Sequence, residues 1–203
     1  MNTTAAHNHV HAVAWVAETP VLATYIDEQL GRLRAGPRGA LLPVTDSAEG
    51  RQLRRWVTQV VVTRTLLELE AAALGSGPAL VPTHESVAPD RLAALELGGI
   101  VANVLASSPP ARRVFAEVTR SVHASSQDVA AYYARNLDQF PDPAGGGMPF
   151  EAVADDIARD LGASLRRRCF VDWLDQRRAA LVRLEPGHEH PGDPRQPDAT
   201  HRH

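Results

Sequence analysis

The second half of the chain carries an apolar repeat that is too long for an ordinary globular helix. From Phe150 onward, apolar side chains recur every three or four residues, which is the spacing of one helix face. They are Phe150, Val153, Ile157, Leu161, Leu165, Cys169, Phe170, Trp173, Leu174 and Leu181. The pattern predicts a helix from about Pro149 to Leu184 that spans a whole domain and packs on several shorter helices.

A second long amphipathic pattern lies in the first half of the chain. Asp46 followed by Glu49 suits a helix start, and Gly75 suits its end. The apolar face comprises Leu53, Trp56, Val57, Val60, Val61, Leu67, Ala71 and Leu74, and the opposite face carries Arg51, Arg55, Gln59 and Glu70. Each long helix has an apolar face that one partner cannot cover alone, so the sequence predicts an all-α, or nearly all-α, helical core.

Shorter elements are expected around these two helices. The alternation of Ala12 to Val16 predicts one short N-terminal strand, and a first helix carries Ile26, Leu30 and Leu33. Further helices are expected from Pro89 to Leu105, where Gly98-Gly99 would allow a close helix approach or a kink, and around Val114 to Val118 after a pair of prolines. Aromatic residues make up only 5% of the chain, so the core must depend on Ala, Leu and Val.

Composition gives the expected domain organisation and location. We expect one helical domain over 12–184, a His-containing tail over 1–11, and a flexible tail rich in His and Pro over 185–203. The net charge of −3 gives no indication of nucleic acid or of a membrane surface as partner. The N-terminus lacks the pattern of a signal peptide, and Cys169 is the only cysteine, so a cytoplasmic location is expected.

The segment from Ser125 to Pro149 resembles a helix found in SurA-like and PrsA-like parvulin chaperones. Ser125 and Asp128 suit a helix start, and Val129, Tyr132-Tyr133, Asn136 and Phe140 follow at helical spacing. In those chaperones a helix of the form (S/T)-x-x-x-V-x-x-Y-Y-x-x-N-x-x-x-F leads into the isomerase domain. Here only residues 141–149 follow before the next helix, so the resemblance implies a short form without that domain.

The N-terminal block resembles the SurA amino-terminal region in the order of its parts. A short strand, a turn ending at Pro20-Val21, a helix, and a long helix ending Leu66 to Gly75 resemble "V-N-G-x-P-I-T", a helix, and a helix ending "L-L-x-x-E-A-x-x-x-G". Ala17-Glu18 replaces the Asn-Gly of that turn, and Leu22 stands where the capping Thr is expected. The resemblance spans about Ala12 to Leu184 and implies a SurA-type helical core closed by the C-terminal helix.

This resemblance implies a chaperone-like module that binds a peptide or a protein and has no isomerase activity. Five side chains are expected to line a groove for an extended apolar peptide or a partner helix: Trp56, Val60, Tyr133, Phe170 and Trp173. No catalytic residue is assigned. Self-association through the apolar faces is an alternative.

A second hypothesis is an enzyme. The C-terminal sequence from Pro186 resembles the tail of short actinobacterial proteins that carry the label malonyl-CoA:acyl-carrier-protein transacylase. Such a transferase needs a nucleophilic Ser in G-x-S-x-G at a strand-to-helix turn. The chain has no such motif, and its nearest approach is Leu74-Gly75-Ser76-Gly77, which follows a helix.

A third hypothesis is metal binding by the termini. His7, His9 and His11 alternate near one end, and His188, His190, His201 and His203 lie near the other. Imidazole binds Zn, Ni and Cu ions, so these histidines are candidate ligands.

Charged residues on the long C-terminal helix, including Asp156, Asp160 and the run Arg166 to Arg168, are expected to form a solvated face with salt bridges.

Overall fold

The computed structural model describes residues 11–75, 81–142 and 147–193. The chain forms two compact units, of which unit 1 contains residues 1–70 and 177–203 and unit 2 contains residues 71–176. No helix in the described ranges is both long enough and apolar enough to cross a membrane. The secondary structure is mainly helical, as predicted.

Unit 1 contains a small antiparallel sheet where one strand was expected. Strand β1 (Ala12–Val16) confirms the predicted strand. Strand β2 (Thr19–Leu22) pairs with one edge of β1, and β3 (Val182–Leu184) pairs with the other edge. The prediction of a single strand is therefore wrong, because the residues predicted to end the long helix form β3 instead.

The turn between β1 and β2 contains a residue with a strained backbone. Val16 pairs with Thr19, so Ala17 and Glu18 form a two-residue turn, and Ala17 has φ of 48°. This left-handed conformation is unfavourable for most residues with a Cβ, whereas Gly adopts it freely and Asn tolerates it through local hydrogen bonds of its side chain. At the following helix start, Leu22 supplies no side-chain cap.

Two helices follow β1 and β2 in the chain order of unit 1. Helix α1 (Ala23–Ala35) buries Ile26 and Leu30, and a 3₁₀ turn (Gly39–Leu41) leads toward α2 (Ala48–Ala73). The predicted apolar face of α2 is confirmed where Val57, Val60 and Leu67 are buried. Arg55 and Gln59, expected on the exposed face, are buried as well.

Unit 2 consists of short helices and most of the long helix α8 (Phe150–Leu181). The helix expected with a possible kink at Gly98-Gly99 is divided there into α4 (Arg91–Leu97) and α5 (Gly99–Ser107), because Gly98 takes a φ of 77°. Helix α3 (His84–Val87) precedes them, and α6 (Pro109–Val118) and α7 (Ser126–Arg135) follow. A second 3₁₀ turn (Leu137–Gln139) comes after α7.

The core of unit 2 has two parts. In one, the buried ring of Phe170 lies 5.1 Å from the ring of Phe115 and 5.6 Å from that of Trp173. In the other, buried Val129, Val153 and Ile157 pack with half-buried neighbours that include Tyr132, Tyr133 and Phe140. Full burial of one such apolar side chain contributes about 2 kcal/mol, so α8 is held along much of its length.

Candidate functional site

A cleft of about 540 Å³ opens on unit 2 between three of its elements. Helix α4, helix α8 and the end of the α7 segment each contribute one wall. The lining residues are Pro89, Asp90, Leu92, Ala93, Glu96, Tyr132, Gln139, Phe140, Asp156, Ile157, Asp160, Leu161, Ala163, Ser164 and Arg167. This volume lies in the range of pockets that bury most of a small ligand.

The floor of the cleft is apolar and its rim exposes leucine. Ala93 and Ile157 are buried beneath it. Leu92, which lines the cleft, keeps 67% of its surface exposed, and Leu95, one helical turn further along α4, keeps 66%. Large apolar side chains so exposed on adjacent turns of one helix are typical of a surface that binds a partner.

A buried arginine joins α4 to α8 inside the cleft. Arg167 Nε donates to Glu96 Oε2, and Ser164 Oγ donates to Glu96 Oε1 at 2.9 Å. The prediction of a solvated Arg166–Arg168 face is wrong for Arg167, which is 8% exposed. Its charge is tolerated there because Glu96 of α4 neutralises it.

The wall formed by α7 is positioned by a capped helix start and by Tyr132. Ser125 accepts a hydrogen bond from the backbone nitrogen of Asp128 at 3.1 Å, as its predicted capping role requires. Tyr132 then donates its hydroxyl to Gln139 Oε1 at 3.0 Å, and its ring meets Phe140 edge-on. These contacts fix the 3₁₀ turn that follows α7 against the cleft.

The backbone that follows α7 is paired with the backbone that precedes α8. Met148 donates its backbone N–H to the carbonyl of Phe140 at 2.8 Å, and Pro141 forms a β-bridge with Gly147. Tyr133 donates its hydroxyl to the carbonyl of Met148 at 2.6 Å. We call this arrangement the neck; its two sides are Phe140-Pro141 and Gly147-Met148.

The cleft has an excess of negative charge. Its lining contains four carboxylates, from Asp90, Glu96, Asp156 and Asp160, and one guanidinium, from Arg167. Asp90 also caps α4 by accepting from the backbone nitrogen of Ala93 at 2.8 Å. Asp156 pairs with exposed Arg159 at 2.6 Å. Asp156 and Asp160 are exposed, as predicted.

The five residues predicted to line a groove are divided between the two units. In unit 1, Val60 is buried and Trp56 is half-buried. In unit 2, Phe170 is fully buried in the core, Trp173 stacks on it, and Tyr133 lies at the neck. None of the five lines the cleft described above.

Sequence reasoning missed most of the cleft because its residues carry weak individual signals. Leu92 and Leu95 read as ordinary members of an amphipathic helix, and Arg167 reads as one of three consecutive arginines. One signal was available: Asp90 three residues before Ala93 is a helix-capping pattern that places the start of α4. The pairing of Glu96 with Arg167 spans 71 positions and has no local signature.

The histidine segment after α8 is attached to unit 1, although it was expected in a solvated tail. Glu185 donates its backbone N–H to the carbonyl of Val13 at 3.0 Å, and buried Gln59 donates to the carbonyl of His188 at 2.8 Å. Arg178 donates to Gln59 and, at 2.6 Å, to Thr63. This network explains why polar Gln59 is buried.

The candidate metal ligands are not brought together in the described part of the chain. Burial lowers the pKa of His188, to which nearby Arg54 adds; burial also lowers the pKa of His190, with Arg178 adding. His201 and His203 lie outside the described residues, as do His7 and His9. Within the ranges described, no three His, Cys, Asp or Glu side chains converge on one point.

The serine considered for acyl transfer, Ser76, also lies outside the described residues. The lining of the cleft contains one serine, Ser164, whose hydroxyl donates to Glu96, and it contains no histidine. A nucleophilic serine needs an adjacent base to accept its proton. In this cleft the hydroxyl of Ser164 donates to the carboxylate of Glu96, which is already paired with Arg167.

Comparison with known proteins gives one partial match. The model of a family of unknown function (DUF7158) matches residues 12–49, which contain β1, β2, α1 and the segment leading to α2. No curated protein and no solved structure matches the chain.

Proposed function

We propose that this protein is a chaperone-like binding module that takes up an extended, partly apolar polypeptide segment in the cleft of unit 2, without isomerase activity. The observation that carries the proposal is the combination of a buried apolar floor, Ala93 and Ile157, with exposed leucine at the rim. An apolar segment would cover Leu92 and Leu95, and removing that area from water favours binding by about 25 cal/mol per Å².

The neck supports the SurA-like part of this proposal. In the parvulin chaperones that the sequence resembles, an isomerase domain follows the helix corresponding to α7. Here the backbone of Phe140 is hydrogen-bonded to that of Met148 at the same point of the chain. Flanks that are paired with each other can carry either an inserted domain or a short connection, so this geometry is compatible with the loss of such a domain.

The mixed polarity of the walls favours a polypeptide over a purely apolar ligand. Exposed Asp160 and the hydroxyl of Tyr132 can meet backbone N–H groups and polar side chains of a bound segment. Recognition through a few apolar anchors with polar groups around them is common in peptide binding.

The test uses a labelled, extended peptide of Leu, Ala and Ser, with binding followed by fluorescence anisotropy. Leu92→Asp should weaken binding by about tenfold or more, because it puts a charge where an apolar anchor is expected. Leu137→Asp is the matched control, since Leu137 is a similarly exposed leucine of unit 2 that does not line the cleft. Equal affinity of wild type and Leu92→Asp, with both folded, would contradict the proposal.

A further inference from the structure

Unit 1 presents a basic and apolar surface that its own packing does not use. Residues 31–45 comprise the last turns of α1 and the segment that follows it, and we call this region the basic loop; it contains three arginines, Arg32, Arg34 and Arg38, and no acidic residue. Within this loop, Leu41 is 82% exposed and Val44 is 74% exposed. These are the most exposed large apolar side chains in the described part of the chain.

The basic loop is held in a fixed shape. Arg34 Nη1 donates to the carbonyl of Pro43 at 3.0 Å, which ties the two ends of the loop together. A Cβ at Gly39 would lie 1.7 Å from the carbonyl oxygen of Arg34, so the turn passes too close to α1 for any other residue. Leu41 and Val44 are thus exposed on an ordered loop, which reduces the entropy lost when a partner binds them.

The loop and the cleft of unit 2 are complementary in charge and in polarity. The loop carries three guanidinium groups, whereas the cleft lining has four carboxylates and one guanidinium. Within the described ranges, Arg32 and Arg38 of the loop and Asp160 of the cleft form no ion pair, so they can pair with a partner. Both surfaces also expose leucine, at Leu41 and at Leu92.

We propose that the cleft of one copy of this protein takes up the basic loop of a second copy. Leu41 and Val44 would cover the apolar floor and rim, while Arg32 and Arg38 would meet Asp156 and Asp160. This inference rests on the proposed function in that both use the same cleft. It names a second copy of the chain as the partner.

The properties of the assembly follow from this pairing. The two surfaces are different patches, so the contact is head-to-tail. Because one loop would enter one cleft, we expect a small contact area and therefore weak, reversible association, with dissociation constants in the micromolar range or above. Because opposite charges attract across the contact, added salt should weaken it.

The test is sedimentation velocity of the full chain over a range of protein concentrations. We expect wild type to show a concentration-dependent rise in mass that salt reverses. The cleft variant Asp156→Arg/Asp160→Arg and the loop variant Arg32→Glu/Arg38→Glu should each be monomeric. An equimolar mixture of the two variants should associate again, because the loop of one then matches the cleft of the other. Wild-type protein that stays monomeric throughout would overturn the inference.

A matched control separates this contact from a general effect of charge. Asp172 and Asp175 are exposed carboxylates of α8 that do not line the cleft, so Asp172→Arg/Asp175→Arg should associate as wild type does. Association of the cleft variant at wild-type strength, with its helical content intact by circular dichroism, would also overturn the inference. Loss of association in the control pair would do the same.

The loop variant also keeps the two proposals distinguishable, because its cleft is unchanged. If it binds the labelled Leu, Ala and Ser peptide while wild type never associates, only the assembly inference fails. If wild type associates and the mixture restores association, but the peptide does not bind, the proposed uptake of foreign segments fails and self-association stands.

Discussion

The backbone nitrogen of Met148 lies 2.8 Å from the carbonyl oxygen of Phe140, so the backbone before and after residues 141–147 is joined by a hydrogen bond. The hydroxyl of Tyr133 stabilises this arrangement by donating a hydrogen bond to the carbonyl of Met148. Because the two flanks pair with each other, their positions do not depend on the residues between them.

We therefore predict that a small folded domain with closely spaced termini can be inserted between Ala144 and Gly145. The flanking pairs remain intact, so the melting temperature of the host should change by no more than a few degrees. Calorimetry measures this directly. The same insertion between Ser107 and Ser108 should unfold the host, because buried Ser108 donates to Val104 and caps α6.

The ion pair in the cleft should be costly to break from one side. Glu96→Ala leaves the largely buried charge of Arg167 without its carboxylate partner, and we expect a loss of about 2–4 kcal/mol in the free energy of unfolding. Urea denaturation provides the measurement. The double variant Glu96→Leu/Arg167→Met should recover most of the loss, and a double variant no more stable than Glu96→Ala would show that burial of an unpaired charge is not the cause.

The turn between β1 and β2 offers a stabilising change. Ala17→Gly removes the Cβ from a left-handed residue, which should add about 0.5–1 kcal/mol after the extra chain entropy of Gly is subtracted. Ala17→Asn should also stabilise. The control is Glu18→Gly, since Glu18 has an ordinary φ and gains only flexibility there. Equal effects at both positions, measured by thermal unfolding, would refute the argument from strain.

Acid should loosen the histidine segment of unit 1. The pKa values of His188 and His190 are lowered in the folded protein, mainly by burial, with Arg54 and His11 adding at His188 and Arg178 at His190. Glu185 and Glu189 oppose the shift at His188, and Asp193 opposes it at His190. The unfolded chain thus binds protons more readily, so the free energy of unfolding should fall as pH drops below about 6.5 toward the lowered values.

Urea unfolding at pH about 7.5 and about 5.5 spans this window while staying above the titration of ordinary carboxylates. The variant His188→Gln/His190→Gln should lose most of the difference between the two pH values. His84→Gln/His123→Gln, which changes two histidines outside the segment over 185–193, is the control and should keep it. A pH dependence that survives in the first variant would contradict the assignment.

Elements with a strong local period were predictable from the sequence, whereas those that depend on distant partners were not. The alternation in β1 and the helical repeats of α2 and α8 gave these elements nearly at their observed bounds. Val182 to Leu184 continue the apolar sequence of α8 without a break, yet they form β3 because β1 offers a free edge. The edge of β1 lies far from β3 in sequence, so the residues near β3 do not indicate that it forms a strand.

The candidate site was less predictable than the fold for the same reason. Large aromatic side chains such as Phe170 were expected to line a groove, but they contribute most when fully buried, and Phe170 lies in the core. Arg167 reads as solvated because its neighbours are arginines, yet its depth is set by Glu96 on another helix. Residue type indicated that these side chains make important contacts, but only tertiary packing determines whether each of them is buried or exposed.

The sheet of unit 1 has a consequence for the order of events during synthesis. Strand β1 emerges from the ribosome early, but its partner β3 emerges only after the whole of unit 2. Unit 2 is continuous in sequence and can fold from neighbouring segments as they appear, whereas the edge of β1 has no mate until α8 is complete. Until β3 has been synthesised, the exposed edge of β1 is open to pairing with other chains. The pairing of β3 with β1 is the step that protects this edge.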